Sequence, residues 1–183
     1  HTRCSRDWSS DVCSSDLPGL LALTCPSYVS YHRLQPHAWA GATISWGYDN
    51  RECAVRVASP FKGRESESIN LELKACDGST NPYLSLAGVI LAGLDGVKRK
   101  LAAPAPAHRD PVLLSAAEQA ACNIRPLPSS QSEALDALEK DQVLTDGLGE
   151  MMTRAYLATR RAENAKAKEL GDDWARLATF STF

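Results

Sequence analysis

The sequence predicts an α+β fold in which antiparallel strands are followed by one buried helix and a helical C-terminal subdomain. Three features carry that expectation. SINLELKA (68–75) alternates apolar and polar residues, as a half-buried strand does. NPYLSLAGVILAGLDGVKRKL (81–101) repeats its apolar residues at helical spacing, and two further amphipathic stretches follow between residues 129 and 170.

Taken in order, ATISWG (42–47) and CAVRVAS (53–59) flank YDNRE, whose Asp-Asn pair favours a turn, so the two read as a hairpin. FKGRESES (61–68) is polar and contains glycine, which reads as a mobile loop. In 68–75, Ile69, Leu71 and Leu73 share one face and Asn70, Glu72 and Lys74 the other. The helix of 81–101 has Asn81 as N-cap with proline next. Leu84, Ala87, Leu91 and Leu94 form its apolar stripe, and Leu86, Ile90 and Val97 widen it. Lys98, Arg99 and Lys100 suit its C-terminal dipole. A Pro/Ala stretch, AAPAPAHRDP (102–111), reads as an extended connector. SSQSEALDALEKD (129–141) carries a capping-box spacing between Ser130 and Glu133. A longer helix runs from about Leu148 to Leu170, with Leu148, Met151, Met152 and Ala155 on one side and a solvated Arg/Glu/Lys face on the other. The region 18–101 is therefore strand-rich before its helix, and 102–183 is connector and helical subdomain.

Composition narrows the function classes. The 183 residues suffice for one medium domain with a real core, and 44% apolar and 23% charged residues are globular values. A formal charge of −2 gives no nucleic-acid or membrane-surface signature. The apolar run YLSLAGVILAGL (83–94) is too short to span a bilayer, and no signal peptide opens the chain. The six cysteines form no CxxC or CxH pair, so zinc is not expected, and they read as reduced cytoplasmic thiols. Cys53, Cys76 and Cys122 read as packing residues. His32, His37 and His108 are scattered without ligand spacing, His37 being the best placed of them.

Residues 1–17 stand apart. DWSSDVCSSDL (7–17) has no apolar period and corresponds codon by codon to a widely used sequencing adapter translated in one frame, with HTR at the start matching its upstream part. The stretch reads as an artefactual tail fused to a truncated gene, with residues 18–183 as the genuine part. A truncated sheet would leave strand edges unpaired and apolar residues such as Ile69, Leu71 and Leu73 uncovered.

One constellation carries chemistry. Glu72 and Lys74 project from the polar strand face, and Arg33, Arg51 and Arg56 lie on or near the neighbouring segments. A carboxylate among four cations suits a metal ion together with anionic substrates, since Arg grips phosphates and carboxylates bidentately and Glu is a hard oxygen ligand. A solvated sheet laced with cross-strand ion pairs explains the same residues, and periodicity alone favours it.

The stretches SYHRLQP (30–36), SWGYDNRECAVRV (45–57) and LELKACDGSTNPYLSLAGVILAGLDGVKRKL (71–101) resemble the C-terminal catalytic half of glutamine synthetase. Within that family the chain is most similar to the type I-like, nodulin/FluG-type branch, in which an amidohydrolase-like domain can precede the synthetase-like one. The resemblance implies a truncated glutamine synthetase catalytic domain and a ligase of nitrogen metabolism and glutamine biosynthesis. Such a ligase would be a cytoplasmic homo-oligomer using ATP with Mg²⁺ or Mn²⁺. ATP phosphorylates the side-chain carboxylate of glutamate, and ammonia or an organic amine displaces the phosphate from γ-glutamyl phosphate. By the same resemblance Arg33 meets the substrate glutamate, Arg51 steadies the transferring phosphoryl group, Arg56 meets the nucleotide phosphates and Glu72 ligates the nucleotide-side metal.

The departures from the family matter equally. Lys74 stands where the family has an arginine on the substrate carboxylate, keeping the charge but losing the fork. Asn70 replaces a second phosphate-clamping arginine. In the flap, Trp39 replaces a glutamate that helps to accept an ammonium proton. A tryptophan offers a cation–π face but no carboxylate, so a bulkier organic amine becomes a fair expectation beside ammonia, as does a mere packing role for Trp39. Lacking the upstream metal ligands and the small N-terminal domain by which family members complete one another's sites, the chain alone is expected to be inactive. The alternative is a non-catalytic synthetase-like module in signalling or assembly.

Overall fold

The computed structural model describes residues 15–182. Most of the adapter-like stretch, 1–14, lies outside the described residues.

At the centre is a helix that the sequence pattern does not reveal. Helix α1 (Leu17–Thr24) begins on the last residue of the adapter-like stretch, and Leu17, Leu20, Leu21 and Leu23 are at most 1% exposed. An eight-residue helix that is apolar on every side has no amphipathic period, so its sequence cannot be told from a buried strand. Burying a helix end leaves carbonyls that water cannot reach. Here each finds a donor. The Thr24 hydroxyl and the Cys25 N–H donate to Leu20 and Leu21, and the Tyr156 hydroxyl to Ala22. The Thr80 hydroxyl donates to Leu23 at 2.7 Å and the Asp77 N–H to Thr24 at 3.0 Å. Two segments distant in sequence, 77–80 and the one that carries Tyr156, are thereby drawn to this helix end.

A 3-10 turn, Tyr28–His32, leads to two small sheets. Strand β1 (Thr43–Ile44) pairs antiparallel with β5 (Arg125–Pro126), and β2 (Trp46–Tyr48), β3 (Val55–Ala58) and β4 (Asn70–Leu73) form the other sheet in that order. Strands β3 and β4 are antiparallel, with the alternation read in 68–75; Ile69, Leu71 and Leu73 are half-buried against the core.

The expected hairpin of 42–59 is corrected. Strands β2 and β3 are parallel, Trp46 facing Val55, Gly47 facing Arg56 and Tyr48 facing Val57. The turn lies where the Asp-Asn pair suggested, but it carries the chain back alongside itself instead of closing a two-stranded loop. The Asn50 amide explains this: it donates to the carbonyls of Ala107 and Arg109, both at 2.9 Å, so the turn is tied to the connector. The connector in turn docks on β2, the Ala107 N–H donating to the Trp46 carbonyl at 2.8 Å. Gly47 permits that approach, since a Cβ there would stand 2.5 Å from the Ala107 carbonyl oxygen. The polar segment 61–68 ends in a single helical turn, α2 (Glu65–Ser68).

Helix α3 (Pro82–Arg99) forms as its caps predict, the Asn81 side chain accepting from the Tyr83 and Leu84 N–H groups. Its inward face differs from the predicted stripe. Ser85, Gly88, Ala92, Gly93 and Gly96 are buried, whereas Leu86 (60%), Ile90 (41%), Leu94 (44%) and Val97 (43%) are exposed. The helix docks on α1 through its small residues; a Cβ on Gly88 would come within 2.8 Å of Leu20 and Leu23.

Beyond the connector come α4 (Ala116–Ala121), β5, α5 (Gln131–Lys140), α6 (Gln142–Leu148), α7 (Glu150–Leu170) and α8 (Asp172–Thr182). Helix α5 packs on α1 and is capped by the Ser130 hydroxyl, while Glu133 reaches back to the N–H of Ser129. Gln131 is 2% exposed yet satisfied, donating to the Pro26 carbonyl at 2.7 Å and accepting from Asn164 at 2.9 Å. The predicted long helix is α7, but it buries Thr153, Leu157, Asn164 and Ala167, and Met151 is 86% exposed. Its basic face is solvated as expected, Arg161 bridging to Asp136 and Glu139 of α5.

Candidate functional site

The polar face of the three-stranded sheet gathers part of the predicted constellation. Arg56 on β3 and Glu72 on β4 face each other in register, and the Arg56 Nη1 donates to the Glu72 Oε2 at 3.0 Å. The Arg56 Nη2 donates to Asp49 at 3.4 Å. Asp49 is itself fixed, accepting from the Ser59 hydroxyl and from the Ser59 N–H at 2.8 Å. Those bonds, and then Arg56, hold its carboxyl below the usual range. Two groups on this face remain uncommitted. The Arg56 Nε is buried without a hydrogen-bond partner among the described residues. The Glu72 Oε1 accepts no hydrogen bond there either. Lys74 follows β4; the residue is half-buried, its backbone N–H donates to the Ala54 carbonyl at 2.8 Å, and its side chain makes no ion pair among the described residues.

Arg51 and Trp39 meet. The Arg51 guanidinium lies over the Trp39 ring, 5.9 Å from its centroid, which is cation–π distance. Trp39 is 63% exposed and, like His37, sits in the left-handed region (φ 55° and 62°), so a sharply turned loop presents the ring to the turn that carries Arg51.

Arg33 lies at the end of β4, away from the Arg56–Glu72 pair's own bonds. Its Nη2 donates to the Cys76 carbonyl at 2.9 Å and touches the Cys25 sulfur at 4.0 Å. Asn70 is exposed, and its side-chain amide donates to the Ser68 carbonyl at 3.4 Å. The cysteines keep their packing role: burial pushes the Cys25 thiol up to about 12 and Cys53 to about 11, and raises Cys76 and Cys122.

Two features escaped the sequence reading. Asn50 organises the arginine turn through its two connector bonds while accepting the Glu52 N–H at 3.1 Å; the Asp-Asn pair was its only signal. His37 lies 3.1 Å from the Asp110 carboxylate, and with Glu52 forms a cluster whose ligand atoms are within 4.8 Å of one another. Its members come from three segments, so no spacing could announce it. Among the described residues His32 and His108 each reach one acid, Asp172 at 3.7 Å and Glu118 at 3.8 Å.

With this geometry in view, the chain can be set beside known proteins. The family model for the glutamine synthetase catalytic domain matches residues 14–178. A γ-glutamylpolyamine synthetase of Streptomyces coelicolor is 41% identical over 157 residues, covering 86% of this chain and 34% of the relative. A glutamine synthetase of Methanocaldococcus jannaschii is 34% identical over 172 residues, covering 90% of this chain and 37% of the relative. Among solved structures, a GmaS–ADP complex superimposes with a TM-score of 0.75 at 29% identity, covering 98% of this chain and 40% of that one. The chain thus spans about a third of the length of these curated relatives. Enzymes of this family depend in general on ATP and divalent metal ions. No described helix is long and apolar enough to cross a membrane. On the match over residues 14–178 and the shared fold, this chain belongs to the glutamine synthetase catalytic-domain family.

Proposed function

We propose that the chain supplies one wall of the active site of an ATP-dependent ligase that joins an amine to the side-chain carboxylate of glutamate through γ-glutamyl phosphate. The observation that carries this reading is the Arg56–Glu72 pair, in which a guanidinium N–H and one carboxylate oxygen are left without hydrogen-bond partners among the described residues. The residues fit the groups such a reaction requires. Glu72 would hold a divalent ion, Mg²⁺ or Mn²⁺, with its second oxygen, and Arg56 would meet the nucleotide phosphates. A bound ion supplies neutralisation of the crowded phosphate charge. Arg51 steadies the transferring phosphoryl group, while Arg33 and Lys74 receive the substrate carboxylate, Lys74 as a point charge.

The nucleophile in this reading is an organic amine as well as ammonia. Trp39 presents an aromatic face beside Arg51, a surface suited to an alkylammonium ion and unable to act as a carboxylate base. A relative named for polyamine ligation supports the same class. In this reading the enzyme is a cytoplasmic homo-oligomer, consistent with four free thiols among the described residues, and the 183 residues alone, which span about a third of the curated relatives, are expected to be inactive. The test is a chimera carrying the upstream part of the Streptomyces relative followed by residues 18–183. It should release ADP only when glutamate and an amine are both present.

One observation favours a second reading, a non-catalytic module. Arg56 is already held by Asp49 and Glu72, an ion-pair arrangement that stabilises a sheet without any ligand. A well-folded chimera that forms no ADP with any amine would support it.

A further inference from the structure

We propose that His37, Glu52 and Asp110 form a binding site for one divalent transition-metal ion of the zinc, manganese or cobalt class, fastening the Trp39 loop to the arginine turn. The proposal is independent of the ligase reading, since none of the three residues belongs to the Arg56–Glu72 face.

The geometry is that of neighbouring ligands. Two atoms bound to one such ion at ordinary metal–ligand lengths lie about 3.0–3.5 Å apart; the His37 Nδ1 and the Asp110 Oδ2 are 3.1 Å apart. All three ligand atoms fall within 4.8 Å of one another, so the Glu52 carboxylate stands beside the His37–Asp110 pair. One imidazole and two carboxylates form a borderline donor set that favours first-row transition ions over Mg²⁺ and Ca²⁺.

The scaffold supports these ligands. The side chain of Asp110 is only 15% exposed, and its Oδ1 accepts the Val112 N–H at 3.1 Å, fixing the carboxylate while leaving Oδ2 aimed at His37. Glu52 is placed by its own N–H, which donates to Asn50, and Asn50 is tied to the connector that carries Asp110. His37 is two residues from Trp39, whose ring lies against Arg51, and Arg51 adjoins Glu52. An ion here would therefore join loop, turn and connector at one point and set the position of the Trp39 ring.

The probe is Co²⁺, titrated into the full chain and read by its visible absorption. One equivalent should give a spectrum with nitrogen ligation. In H37A and D110N the affinity should fall at least about tenfold, the loss seen when even a supporting partner of a ligand is removed; in E150Q, a change at a solvated residue of α7, it should be unchanged. His37 is exposed, and asparagine at 110 retains an oxygen for the Val112 N–H, so each variant gives up the His37–Asp110 contact but keeps the cap on Val112. Full affinity in H37A, or an equal loss in E150Q, overturns the proposal, as does an unliganded wild-type chain. A second measurement needs no variant: carbethoxylation of histidines, followed by mass spectrometry. With Zn²⁺ at ten times its Kd, His37 should be protected about elevenfold by mass action, with His32 and His108 unprotected. Equal rates at all three, with and without Zn²⁺, would overturn it as well.

Discussion

Arg56 and Glu72 face each other across an antiparallel register pair, 3.0 Å between nitrogen and oxygen, with Asp49 closing on the guanidinium from the other side. The arrangement separates what the pair does for stability from what it does for chemistry. The Glu72 side chain is 43% exposed, so solvent screens much of the attraction. Replacing Glu72 by Gln should therefore lower stability by no more than about 1 kcal/mol, measured by urea denaturation of the chain. In the chimera the same substitution should reduce ADP formation at least about a hundredfold, the scale seen when one electrostatic contact to a transition state is lost. A large loss of stability together with unchanged activity would assign the pair to the scaffold alone.

Trp39 over Arg51 yields a prediction about substrate choice. If the indole face receives an alkylammonium ion, W39A in the chimera should raise the KM for a diamine about two- to fivefold, corresponding to a cation–π contribution of about 0.5–1 kcal/mol. W39F should retain most of the affinity, and the KM for ammonium should move in neither variant. Equal effects on both amines would reduce Trp39 to a packing residue of its loop.

Gly47 is required by a neighbour. Its Cβ would stand 2.5 Å from a backbone carbonyl oxygen, that of Ala107, which is anchored by Asn50 and cannot turn aside. G47A should cost about 1–3 kcal/mol, as overpacking of a tight site does. G78A, where a Cβ meets nothing within 4 Å, should stay within about 0.5 kcal/mol of wild type. Thermal or urea melts of the two variants decide it.

These examples mark how far the sequence could be read. The strand of Glu72 was legible because it alternates over a half-buried sheet, and the helix of 82–99 because Asn81-Pro82 writes its start. Family resemblance, not periodicity, singled out Arg51 and Arg56. The parallel return of β2 and β3 was not legible, because it depends on bonds from Asn50 to carbonyls 57 and 59 residues away. Helix α1 escaped for the opposite reason: burial on all sides erases the period that would reveal it. The inward face of α3 was misread because glycine and alanine, not leucine, permit the close approach to α1.

Glu118 gives a prediction in pH. Its carboxylate accepts from the Ser115 hydroxyl and N–H and from Arg109, completing the capping box of α4, and these bonds lower its pKa to about 2. A group whose folded pKa is depressed stabilises the fold fully above its unfolded value, and that stability is lost as pH falls through the unfolded value towards the folded one. E118Q should therefore melt below wild type at pH 6, with the gap narrowing below about pH 4.5 and closing near pH 2. A gap independent of pH would show that the side chain's shape, not its charge, holds the cap.

The central claim is that this chain carries catalytic residues of a glutamate–amine ligase. The most direct measurement is ADP formation by the chimera in the presence of ATP, glutamate, Mg²⁺ and either ammonia or a diamine, with its E72Q variant and the 183-residue chain in parallel. The account predicts amine-dependent turnover in the chimera, its loss in E72Q and none from the chain alone. A folded chimera in which E72Q turns over as fast as the parent would contradict it.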